Sequence, residues 1–300
     1  MFEVYKEKVA LLLKVLPLVA KEECFAIHGG TAINLFVRDM PRLSVDIDLT
    51  YVFIEDRETT LKKIDETLQR IKSSIEKSIK NSRVTYKDNV GKLLIYLGNA
   101  DIKIEVNLVN RGLLSEALKM PLCKKAQSNF EAFAVMPVVS IGQLYGGKIC
   151  AALDRQHPRD LFDIKYLLEN EGFSEDIKKG FLFNLLCSDR PINEVIFPNF
   201  QDQKQTMDNK FVGMSEDAFS YDDFEATREK LVKTINTNLT DYDKAFLLNF
   251  NSLMPDWSVY DFAKFPAIKW KLLNLEKLKN QYLEKYNLQN EALKKALLDK

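Results

Sequence analysis

The sequence predicts an α+β (α/β) protein: an N-terminal domain with a mixed sheet, residues 1–136, followed by a mostly α-helical domain, residues 137–300. Two observations carry this. Over the first 110 residues or so, short segments with period-two alternation interleave with segments of helical period. From about residue 137 the pattern is helical almost to the end. No internal repeat interrupts either part.

The elements follow in order. Residues 3–21 place apolar residues at helical spacing. CFAI (24–27) is a short apolar strand, broken by Gly29 and Gly30, and TAINLFVRD (31–39) is a helix that Pro41 ends. SVDIDLTYVF (44–53) is a strand, and residues 57–80 form a long charged amphipathic helix. SRVTYKD (82–88), KLLIYLG (92–98) and IKIEVNLV (102–109) are further strands. Ser140 with Gln143 has the form of a capping box opening a helix over 141–155, and Pro158 suits the first turn of the next helix. Residues 201–223 read as a polar loop or linker. The lysine-rich stretch from Pro266 reads as one or two helices, whose lysine face is either solvated or a nucleic-acid surface.

Composition narrows the function classes. Hydrophobic residues make up 46% of the 300, enough for a sizeable core. Charges balance at 43 and 43, so bulk charge names neither nucleic acid nor membrane as a partner. The four cysteines are scattered without a CxxC pair, which fits free thiols in a reducing, cytoplasmic setting. With two histidines, a multi-histidine metal site is excluded. No stretch is long and apolar enough to span a bilayer.

The informative stretch is HGGTAINLFVRDMPRLSVDIDLT, residues 28–50. On a strand, residues i and i+2 share a face, so Ser44, Asp46 and Asp48 point one way and Val45, Ile47 and Leu49 the other. The two carboxylates lie ~6–7 Å apart along the strand. A hard divalent cation taking oxygen ligands from both would relieve their repulsion. Glu105 repeats the pattern in mid-strand, and three carboxylates on adjacent strands can hold two Mg²⁺ ions for an in-line phosphoryl transfer. Solvent-facing acids on a one-sided sheet are the alternative. Gly29, Gly30 and Thr31 stand between a strand and a helix N-terminus, where backbone N–H groups favour phosphate and glycine permits close approach. A plain tight turn would look the same. GxxxxGK[ST] and GxGxxG are both absent, so the loop is neither a P-loop nor a Rossmann turn.

HGGTAINL, then RLSVDIDL, then GGKICAALDRQHPRDLFDIKYLL together resemble the AbiEii/AbiGii toxin nucleotidyltransferases, within the DNA polymerase β-like nucleotidyltransferase superfamily. The motifs cover roughly residues 24–170. The resemblance implies a Mg²⁺-dependent transfer of NMP from an NTP to an acceptor hydroxyl. It implies the toxin of a bacterial toxin–antitoxin system acting on RNA such as tRNA, with an antitoxin encoded nearby that forms no stable complex. It implies that Gly29, Gly30, Thr31 and Ser44 bind nucleotide and that Asp46, Asp48 and Glu105 are the catalytic, metal-binding carboxylates. Lys148 would contact the triphosphate, with Arg159, Asp160 and Asp163 as the second signature, and the helical domain would complete the nucleotide site. Residue 31 is threonine where the superfamily prefers serine, and fourteen residues separate Thr31 from Asp46, longer than the usual superfamily spacing. Asp101 competes with Glu105 for the third position. On physical grounds alone Lys148 reads as a solvent-facing residue, and Arg159 could pair with a surface acid. A protein or small-molecule acceptor, or a non-catalytic nucleotide-binding module, remains the alternative function.

Overall fold

A computed structural model describes residues 2–298. The chain forms two compact units, Met1–Leu144 with Asn209–Ala218, and Tyr145–Asp208 with Phe219–Lys300.

The first unit is built on a seven-stranded mixed sheet. Its strands are β1 (Phe25–His28), β2 (Asp46–Tyr51), β3 (Arg83–Lys87), β4 (Lys92–Leu97), β5 (Ala100–Val106), β6 (Leu118–Pro121) and β7 (Val135–Val138), in the order β3-β4-β5-β2-β1-β7-β6. β2 pairs with β5, and β1 with β7, in parallel; the other neighbours are antiparallel. Alternation sets the faces. Ile47 and Leu49 of β2, with Ile102 and Ile104 of β5, are buried on one side, while Asp46, Asp48 and Glu105 stand half-buried on the other. Helices α1 (Phe2–Val19) and α3 (Arg57–Ser78) pack on each other, α1 also on β5 and α3 on β3 and β4. Asp56 caps α3 by accepting from the Thr59 N–H at 2.9 Å. After β1 the chain enters α2 (Gly29–Ala32), which widens into a π-helical turn over Ile33–Val37 before Pro41. Helix α4 (Lys124–Phe130) lies between β6 and β7.

Two strands are added to those the sequence predicts, and one expectation is corrected. β6 and β7 do not stand out in the sequence, because each has four residues and each contains a proline, Pro121 and Pro137, which argues locally against a strand. Both form through pairing: β7 lies antiparallel to β6 and places Val138 beside Ile27 of β1. Residues 201–223 are not an irregular linker. They include a helix, Lys204–Lys210, and a segment that returns to the first unit, where the Leu43 N–H donates to the Met214 carbonyl at 2.7 Å and Arg42 bridges to Ser215.

The remaining helices are α5 (Ile141–Asp154), α6 (Pro158–Asn170), α7 (Glu175–Cys187), α8 (Ile192–Ile196), α9 (Lys204–Lys210), α10 (Tyr221–Asn238), α11 (Asp241–Asn251), α12 (Pro266–Gln281) and α13 (Leu283–Leu298). The capping box at α5 is half made. The Gln143 N–H donates to Ser140 Oγ at 3.4 Å, but the Gln143 side chain binds the loop at Gly112 and Leu114 instead. In the second unit, α5 and α7 cross backbone to backbone: a Cβ on Gly146 would sit 2.1 Å from the Gly180 carbonyl carbon. α10 and α11 open with complete capping boxes, Ser220 with Asp223 and Thr240 with Asp243. Phe183, Phe246, Phe262 and Phe265 form a buried edge-to-face cluster. The final lysine-rich stretch is two helices. Among the described residues, no helix is long and apolar enough to cross a membrane.

Candidate active site

The glycine loop is shaped by what lies against it. Gly29 has φ +72°, a conformation that favours glycine. A Cβ there would lie 2.5 Å from Asp48 Oδ2, so the missing side chain makes room for the Asp48 carboxylate. A Cβ on Gly30 would lie 2.8 Å from an Arg42 guanidinium nitrogen and 3.1 Å from Ser44 Oγ. Thr31 is fully buried; its hydroxyl donates to the Asp46 carbonyl and shares a hydrogen bond with Ser44 Oγ at 2.9 Å. Asn34 Nδ2 donates to the Gly30 carbonyl at 2.9 Å. Thr31, Ser44 and Asn34 therefore hold the loop against β2, while the opening turn of α2 presents backbone N–H groups.

The carboxylate face is set by strand register. Asp46 lies opposite Lys103 and Asp48 opposite Glu105 across the parallel β2–β5 pair, and Asp48 lies opposite His28 across β1–β2. His28 Nδ1 is 2.9 Å from Thr50 Oγ1. Lys103 Nζ is 3.1 Å from Glu105 Oε2 and 4.0 Å from Asp46 Oδ2, and Lys92 Nζ is 3.2 Å from the same Glu105 oxygen. Partial burial alone would raise the Glu105 carboxyl, but Lys103 and Lys92 outweigh it and hold it below the usual range. Burial would likewise lower the Lys103 ammonium, but Asp46 and Glu105 raise it. Asp101, the competitor, pairs with Lys8 at 2.7 Å.

The donor set suits a hard divalent ion in part. Asp46 and Asp48 offer oxygen ligands from one strand face, and Mg²⁺ is commonly held by one or two carboxylates together with substrate phosphates. Among the described residues, no three histidine, cysteine or acidic side chains come close enough to hold an ion together. Glu105 is instead engaged by two ammonium groups.

The second unit holds another charged cluster. Lys148 on α5 is buried, with Nζ 2.8 Å from Asp160 Oδ1 and 3.0 Å from Asp163 Oδ2. These acids lie on α6, on the turn that faces Lys148, and both are buried. Arg155 grips Asp160 with two N–H donors, at 2.6 and 3.0 Å. Burial would raise the Asp160 carboxyl, but Lys148 and Arg155 hold it well below the ordinary carboxylate range. His157 caps α6, its Nδ1 accepting from the Arg159 N–H at 3.1 Å, and Arg159 itself is half-buried. Lys148 is thus no solvent-facing lysine.

Gly29, Gly30, Thr31, Ser44, Asp46, Asp48 and Glu105 come together in the first unit, and Lys148, Asp160 and Asp163 in the second. Arg42, Lys103 and Arg155 join these charged groups without a predicted role. Arg42 and Arg155 lie inside the quoted motifs, four residues before Asp46 and five before Asp160. Lys103 shares the strand face of Glu105, and that spacing was the available signal.

A family model described as nucleotidyl transferase AbiEii toxin, type IV TA system, matches residues 10–272. A search of curated proteins finds no match. Among solved structures, MenT4, a nucleotidyltransferase toxin from Mycobacterium tuberculosis H37Rv, is similar with a TM-score of 0.64 at 12% sequence identity. The match covers 91% of this chain and 93% of that one, and it shows a shared fold. With the family model spanning most of its length, the chain belongs to the AbiEii nucleotidyltransferase toxin family, of type IV toxin–antitoxin systems.

Proposed function

We propose that this nucleotidyltransferase uses Mg²⁺ to transfer NMP from an NTP to a hydroxyl of an RNA acceptor such as tRNA. The observation that carries the reading is the Asp48 carboxylate seated over Gly29, on the strand face it shares with Asp46. It joins a phosphate-binding loop to a pair of hard oxygen donors. Bound there, a divalent ion would neutralise phosphate charge and help align the α-phosphorus with the attacking hydroxyl. The acceptor oxygen forms a bond to the α-phosphorus as the bond to pyrophosphate breaks.

Each residue has a part. Backbone N–H groups at Gly29 and Gly30 take triphosphate oxygens, and Thr31 and Ser44 keep that loop in register with β2. Asp46 and Asp48 are the metal ligands, and Glu105 is the third carboxylate of their face. Lys103 and Lys92 keep Glu105 ionised on that face, and the proton of the attacking hydroxyl leaves to solvent. In the helical unit, Lys148 is assigned a nucleotide phosphate as its ligand, oriented by Asp160 and Asp163, with Arg159 beside them. An antitoxin partner belongs to the family's system, and we assign it to a neighbouring gene with no stable complex formed.

RNA as acceptor draws support from α12, which exposes Lys269 and Trp270 and, about two turns on, Lys277. Lysines meet phosphates and an exposed indole can stack on a base. Incubation with Mg²⁺, each labelled NTP in turn and total bacterial RNA should label an RNA band. RNA affinity should fall about twentyfold between about 50 and 200 mM salt for about three phosphate contacts. Label on protein instead, with a flat salt response, would move the acceptor to a protein hydroxyl.

Gly29→Ala tests the loop. Its backbone strain costs about 1–3 kcal/mol, and the new methyl must displace Asp48, so transfer should fall at least tenfold. Gly98→Ala is the control: φ is +59° there, but a Cβ meets nothing within 4 Å. Equal activity of the two variants would separate Asp48 seating from catalysis.

A further inference from the structure

Lys103 stands where the carboxylate face would otherwise carry its most negative gap. Across the β2–β5 pair it lies directly opposite Asp46, while Glu105 is two residues further on and on the same face. Lysine stems on a half-exposed strand can reach out to water. This one turns inward, with its ammonium 3.1 Å from Glu105 and 4.0 Å from Asp46. Lys92, opposite Glu105 on β4, closes on the same carboxylate oxygen at 3.2 Å. Two ammonium groups carry the charge of one divalent ion. They also repel any cation that approaches Glu105, and both occupy its Oε2.

We propose that Lys103, supported by Lys92, takes the place of a second divalent ion, so that the site binds one ion through Asp46 and Asp48. Glu105 is then the counter-ion that positions Lys103, not a metal ligand. This rests on the metal-dependent reading above and narrows it from two ions to one. Lys103 acts as a tethered charge: it is present before nucleotide arrives, it cannot dissociate, and it stays beside the aspartates through the reaction.

The experiment counts ions in the full-length protein. Mn²⁺ is titrated alone and then with inorganic triphosphate, and free Mn²⁺ is read by electron paramagnetic resonance. Wild type should bind one Mn²⁺ per chain in the first titration. The double variant Lys92→Met with Lys103→Met should bind two, since Glu105 then loses both ammonium groups and regains its Oε2. Lys103→Arg keeps the charge and should remain at one. The side chain is about one-third exposed, and thermal melting checks that both variants fold as wild type does. Two ions in wild type alone would overturn the proposal, and so would one ion in the double variant. Asp48→Asn separates the underlying reading: if it binds Mn²⁺ as wild type does, the aspartates are not the ligands and the metal assignment itself fails. Absence of binding in wild type with triphosphate present would remove both.

Discussion

Asp48→Asn should lower nucleotidyl transfer by roughly a thousandfold, equivalent to about 4 kcal/mol of transition-state stabilisation, while leaving the fold intact. The amide has the shape of the carboxylate, so it can keep the seat over Gly29 that a larger side chain would lose. What disappears is a charged ligand. Stability should hold or rise, because Asp46 and Asp48 share a strand face and repel each other in the absence of a cation. Function is thus bought with local electrostatic strain. Single-turnover transfer of labelled NMP, set beside thermal melting, measures both quantities. Wild-type rates in this variant would end the assignment of Asp48. Lost activity with a collapsed melting curve would show a structural role instead.

Lys148→Met should destabilise the protein by about 3–5 kcal/mol, because it strips the shared counter-charge from two buried carboxylates. Asp160 retains Arg155, whereas Asp163 loses its 3.0 Å ion pair with Lys148. Adding Asp163→Asn to Lys148→Met should therefore recover more than half of the loss. The pH dependence gives a second check. In wild type the depressed Asp160 carboxyl contributes stability that is present above the unfolded value of about 3.9 and lost as pH falls toward its folded value. Lys148→Met removes the larger cause of the Asp160 depression, so the deficit against wild type should shrink as pH falls below about 4. Denaturant unfolding at several pH values reads this directly. A loss below about 1 kcal/mol would mean that Lys148 is dispensable for folding and conserves its charge for ligand alone.

Much of the fold was legible because it is local. The period-two runs place β3, β4 and β5 within two or three residues of their observed ends, and the charged helical run places α3 within two. The alternation that sends Asp46 and Asp48 to one face is a property of β2 itself. The glycine pair marks the loop because only a small residue suits φ +72° at Gly29. The second signature was also readable, down to Pro158 opening α6.

Other features depend on residues far apart in the chain. β6 and β7 are strands through their pairing, not through their composition. The segment around Met214 and Ser215 joins the first unit by binding Pro41 and Leu43 across some 170 residues. No local pattern states that Arg42 will pack on Gly30, that Lys92 and Lys103 will converge on Glu105, or that Lys148 will be shared by two buried acids.

The sequence by itself therefore determined the fold class, the order of most elements, the glycine-turn and aspartate pattern and the family. Each of these is written in spacings of two, three or four residues that backbone geometry converts directly into faces. Only the tertiary structure decided the ionic partners. Whether Glu105 meets a metal or an ammonium, and whether Lys148 meets water or carboxylates, depends on strand register and helix packing, which bring together charges that the chain itself keeps apart.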